Sequence, residues 1–190
     1  MSKDEIMHFP ESSEVLDIVL HALHNSRCTC PTPSIDVFEM ALQRMPRYGI
    51  SPADHVRPGT FIFKCIVSHA PDSPLAAYTL AAQCGLHDLA VECSPYMLNV
   101  PVADITEDAA ERMGPIYIKS ALLLHTKYHR QLRDAAGRPP DPHPPLPHCE
   151  PEKQRDLLRD WIGTVGGLLM ETVPGMPIAT ASTLRVTLTN

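Results

Sequence analysis

Three observations predict an all-α chain, folded as an irregular helical bundle. Apolar residues recur at three- and four-residue spacing in segment after segment, which is the helical period. No internal repeat and no sustained strand alternation is present. The 20 prolines are many, but they cluster between the periodic segments rather than inside them. The chain is 190 residues long with 44% apolar residues, which suits one sizeable core or two small ones. Aromatics are only 5%, so that core is expected to be mostly aliphatic.

Ser12 or Ser13 caps a first helix running to about Leu23, with Leu16, Val19, Leu20 and Leu23 as its expected buried stripe. A break follows from Asn25 to Pro33. Ser34 caps a second helix whose stripe is Ile35, Phe38, Leu42 and Met45. Pro46 stops it, because proline donates no backbone hydrogen bond and clashes with the preceding turn. A loop with Gly49, Pro52, Pro58 and Gly59 leads to the run TFIFKCIVSHA, whose β-branched content suits a strand as well as a helix. Residues 71–98 read as two short helices broken at Gly85, where a helix end wants a left-handed residue. Leu75, Tyr78, Leu80, Ala81 and Ala82 supply apolar surface on the first, and Leu86, Leu89, Ala90 and Cys93 on the second. Such a hairpin packs and carries no evident chemistry.

Beyond Pro101, Thr106 caps a further helix with Glu107 and Asp108 in its first turn, where the helix dipole favours acids. Gly114-Pro115 interrupts it, and a new helix starts there. That helix runs through Ile116, Ala121, Leu124 and Tyr128 to about Ala135. GRPPDPHPPLPHCEP is a proline-rich, semi-rigid linker. A last helix covers about Pro151 to Met170, with Leu157, Leu158, Trp161, Val165 and Leu168 expected to point inward. Gly163, Gly166 and Gly167 weaken it by about 1 kcal/mol each where they are interior. The tail IATASTLRVTLTN has both strand and weak helix character.

The net charge of −6 excludes bulk electrostatic attraction to nucleic acid or an anionic membrane. The N-terminus lacks the apolar stretch of a signal peptide, and no run approaches the length of a membrane span. The six cysteines are therefore expected as reduced thiols, with Cys65, Cys84 and Cys93 packed as small hydrophobes, in a cytoplasmic or nuclear protein. A nucleophile elbow, a phosphate loop and a dinucleotide fingerprint are all absent from the sequence. Accordingly, neither an enzyme nor a bound cofactor is expected.

Four groups of residues are candidate sites. His125 and His129 are four apart on one helix face, a spacing at which two imidazoles can share zinc. The glutamate of H-E-x-x-H is missing and Lys127 and Arg130 repel a cation, so an exposed, metal-free pair is expected. Cys28, Cys30, His143, His148 and Cys149 form a mixed loop set that suits zinc only if the fold gathers it, and C-x-C is an unusual spacing. The basic residues Lys119, Lys127, Arg130, Arg133 and Arg138 read as a solvated helix face without a base-reading motif. The proline linker reads as a spacer rather than a ligand for a proline-reading domain.

Four strings together carry a family resemblance, in order over roughly residues 12–170. PLAAYTLAAQCGLHDLAVECSPYML resembles the helical pair that follows the BTB (POZ) domain of fungal BTB proteins. SSEVLDIVLHAL resembles a late BTB helix. CPTPSIDVFEMALQRMPRYGISP resembles the next helix, with its closing Tyr48, Gly49 and Ile50. ITEDAAERMGPIYIKSALLLH resembles a later family segment built around R-M-G-P. The family context favours a helix for TFIFKCIVSHA.

The resemblance implies a partial BTB-like segment at 1–70 and BACK-like helices at 71–136, before the linker at 137–150 and the final helix and tail at 151–190. It also implies a non-enzymatic adaptor or scaffold, whose partners are BTB proteins or a cullin-type ubiquitin ligase; charge and hydropathy leave neither nucleic acid nor membrane among the expected partners. The family's β-rich front half has no counterpart in the eleven or so residues before the first matched helix. Family-type dimerisation is therefore expected to be absent, and Leu16, Val19, Leu20 and Leu23 are left as a candidate partner face. The family's further C-x-x-C is also missing. A zinc-structured domain and a truncated family member are the alternatives.

Overall fold

The computed structural model describes residues 8–24, 26, 33–139, 141, 143–144 and 150–171, the last helix with its side chains to residue 167. Among these residues the chain is all-α. It forms eight α-helices and no strand: α1 (Ser13–His24), α2 (Ile35–Arg44), α3 (Pro52–His55), α4 (Phe61–His69), α5 (Pro74–Gln83), α6 (His87–Met97), α7 (Glu107–Ala136) and α8 (Pro151–Glu171). The chain divides into two compact units. One comprises Met1–Met97 with Ile105–Ile118, and the other Leu98–Asp104 with Lys119–Asn190.

In the first unit, α5 is the central element. Ala77, Tyr78, Thr79, Leu80, Ala81 and Ala82 are six consecutive buried residues, so this helix is covered on all sides. Its alanines let α2, α4 and α6 approach closely. The turn into α6 closes as the sequence predicts. Gly85 adopts φ +67°, the Leu86 N–H donates to the Ala81 carbonyl at 2.8 Å, and the Gly85 N–H donates to Ala82 at 3.0 Å. This is a Schellman closure, which satisfies carbonyls that the helix end would otherwise orphan. Leu86, in the turn before α6, and Leu89, Ala90 and Cys93 of α6 are buried as expected, while Leu75 of α5 is only half-buried.

The run at 60–70 is a helix. Thr60 caps it by accepting the Phe63 N–H (3.4 Å), and Ile62, Phe63 and Ile66 face the core. In α2, Phe38, Ala41 and Leu42 are buried, with Met45 just beyond its end. Ser34 occupies the capping position without a side-chain cap bond. The α-helix ends at Arg44, just before Pro46, as the sequence predicts. Pro46 sits in the first turn of a 3₁₀ segment, Met45–Tyr48, where the missing N–H has no partner to lose.

At the start of α7, the Thr106 hydroxyl accepts the Ala109 N–H at 3.2 Å. Gly114 then leaves helical geometry (φ 71°, ψ 170°) immediately before Pro115, so α7 consists of two helical runs, as the Gly-Pro pair predicts. The first run is tied to α2 and α5. Arg112 pairs with Glu39 and Asp108 and donates to Gln83. The Tyr78 hydroxyl donates to the Tyr117 carbonyl at 3.1 Å, with the two rings edge to face.

In the second unit, Ala121, His125 and His129 are the buried residues of α7. The expectation of inward-pointing residues in α8 is corrected: no side chain from 151 to 167 is buried. Leu157 is 62% exposed, Leu158 and Ile162 are exposed, and Trp161 and Val165 are half-buried. The side chain of Leu168 and the tail at 172–190 lie outside the described residues. Surface pairs Glu152–Arg155 (3.6 Å) and Asp156–Arg159 (2.9 Å) run along this helix. No helix among the described residues is long and apolar enough to cross a membrane.

Candidate functional site

The apolar residues of α1 outnumber what one buried stripe can hold. Val15, Ile18, Val19 and Ala22 stand at i, i+3, i+4 and i+7; so, nearly, do Leu16, Leu20 and Leu23 at i, i+4 and i+7. Packing against α2 and α4 selects the first set. The expected buried stripe is thus displaced by one position. Leu20 and Leu23 are 48% and 46% exposed and Leu16 is half-buried. Val19, expected on the partner face, is 2% exposed and belongs to the core.

This outer leucine edge sits on a braced helix. Ser12 caps it, accepting the Val15 N–H at 3.4 Å and, through its carbonyl, the Leu16 N–H at 3.0 Å. Glu14 lies in the first turn and His21 and His24 in the last, each matching the helix dipole. Asp17 pairs with His21 one turn on, at 3.2 Å, and His21 Nδ1 lies 2.6 Å from Ser26 Oγ. At the ends, His55 Nδ1 lies 3.2 Å from the Ala22 carbonyl, and Glu11 is held by Arg44 (3.3 Å) and Tyr48 (3.5 Å). The edge therefore presents two leucines one turn apart from a backbone fixed on its other side.

The histidine pair departs from expectation. His125 and His129 are 2% and 3% exposed, not on the surface. Their period with Ala121 puts all three on one buried face, and the charged neighbours Lys127 and Arg130 project elsewhere. Burial, with Arg133 close by, holds the His129 imidazole below its ordinary pKa, so it is neutral at pH 7. Neither of its ring nitrogens has a hydrogen-bond partner among the described residues.

Of the mixed cysteine and histidine set, Cys28, Cys30, His148 and Cys149 lie outside the described residues. His143 is exposed, with Nδ1 2.8 Å from the Pro144 carbonyl. Among the described residues no group of three or more histidine, cysteine or acidic side chains is placed to hold a metal ion. Burial raises the thiol pKa of Cys84 to about 11, aided by Glu39 and opposed by Arg112. Burial and Glu92 push Cys93 to about 12. Both remain protonated at neutral pH and are poor nucleophiles there.

A second surface was only half visible in the sequence. Lys119, Lys127, Arg130, Arg133 and Arg138 are exposed, as a solvated face requires. Leu122 and Leu123 are exposed among them. The spacing of Leu123, Lys127, Arg130 and Asp134 was the available signal.

No protein-family model, no curated protein and no solved structure matches the chain.

Proposed function

We propose that this chain is a non-enzymatic protein–protein interaction module of the BTB type, an adaptor or scaffold that works in the cytoplasm or nucleus. Its partners are BTB proteins or components of a cullin-type ubiquitin ligase. One observation carries the reading: α1 splits its apolar residues between a core face and an outer edge of exposed Leu20 and Leu23 with half-buried Leu16. Apolar anchors at i, i+4 and i+7 on one helix suit insertion into a partner's groove. The four BTB-like strings, in family order, support the class.

Affinity purification of the tagged chain, with mass spectrometry of the associated proteins, tests this. Recovery of a cullin or a BTB protein is expected, and its loss in Leu20→Asp while circular dichroism stays unchanged. Recovery of chaperones alone, or of the same proteins with Leu20→Asp, contradicts it.

A further inference from the structure

We propose that the outward face of the second run of α7 is a docking groove for an acidic, amphipathic segment of a partner protein. Leu123, Lys127, Arg130 and Asp134 follow one another at helical spacing and share a face. With Thr126 and Gln131 they line a groove of about 430 Å³. Leu123 is 57% exposed and Leu122 beside it is also exposed, so the groove has an apolar wall. The Thr126 hydroxyl is occupied by the Leu122 carbonyl (2.9 Å) and leaves that wall apolar.

The charges choose the occupant. Lys127 and Arg130 are exposed and make no ion pair among the described residues, unlike Arg44, Arg57, Arg112, Arg155 and Arg159. Two unpaired cations flanking exposed leucines, in a chain of net charge −6, form a local field opposite in sign to the whole. A partner that places leucine or isoleucine on Leu123 and carboxylates on Lys127 and Arg130 satisfies both features. Asp134, a further turn along the same face, repels acid there and sets the partner's direction. Nucleic acid fits less well, because a polyanion has no aliphatic side chain to cover Leu123 and is opposed by the net charge of −6. The groove lies in a different unit from the α1 leucine edge, and so gives an adaptor a second surface that does not depend on the first.

Display selection of short random peptides on the full chain tests the proposal. The Lys127→Glu/Arg130→Glu double variant serves for counter-selection. Enriched peptides are expected to combine leucine or isoleucine with aspartate or glutamate at helical spacing. A synthetic representative should bind at least about tenfold more weakly to the double variant and to Leu123→Asp, and unchanged to Lys64→Glu on the other unit. Its affinity should also fall as salt rises. If the double variant loses helicity, Lys127→Gln/Arg130→Gln gives the same comparison. Enriched peptides without acidic residues, affinity indifferent to the double variant, or no enrichment over an unrelated protein overturns the proposal.

Discussion

Helices α5 and α8 are both rich in apolar residues, and they meet opposite fates. In α5 six residues in a row are buried, Thr79 among them. In α8 Leu157, Leu158, Trp161, Ile162 and Val165 form a regular stripe, yet none of them is buried. Periodicity is thus a property of the helix, whereas burial is a property of its neighbours. Alanines at 77, 81 and 82 give α5 neighbours on every side. Charges and glycines occupy the rest of α8.

Substitutions sharpen that contrast. Leu80→Asp in α5 places a carboxylate at a fully buried position, and should cost more than about 4 kcal/mol, seen as loss of cooperative unfolding. Leu89→Ala in α6 should cost about 2–5 kcal/mol in urea titration, the range for a fully buried leucine. Gly85→Ala forces a Cβ into a left-handed backbone and should cost about 1–2 kcal/mol with no steric neighbour to blame. Leu157→Ala in α8 should lie within about 0.5 kcal/mol of the parent. If Leu157→Ala costs as much as Leu89→Ala, the contrast fails.

His129 offers a smaller, pH-dependent test. Its folded pKa lies below 6.5, the unfolded value, so the unfolded chain takes up the proton first. Its contribution is full above about pH 6.5 and is lost as the pH falls below that. Stability followed by urea unfolding from about pH 7.5 to about pH 5 should decline, and His129→Leu should flatten part of that decline. An unchanged slope in His129→Leu would show that the imidazole is solvated.

Much of the fold was legible in the sequence, because its signals are local. Thr106 reads as a cap, Gly85 as a left-handed closure, and Gly114-Pro115 as a break; each depends on a few adjacent residues. What was illegible depends on tertiary neighbours. Two overlapping stripes on α1 both obey the helical period, and only α2 and α4 decide between them. His125 and His129 read as exposed from their charged neighbours in sequence, but a helix turns those charges away from the imidazoles. The candidate surfaces were the least legible part, since an outer leucine is written in the same letters as an inner one.

Neighbouring residues of α1 are placed differently, Val19 in the core and Leu20 on the outer edge proposed as a partner face. Thermal unfolding of Val19→Asp and Leu20→Asp, followed by circular dichroism, tests this difference most directly. Val19→Asp should abolish the cooperative transition, while Leu20→Asp should keep it within about 0.5 kcal/mol of the parent. Equal damage from both substitutions, or tolerance of Val19→Asp, would mean that α1 has no separate outer face to offer.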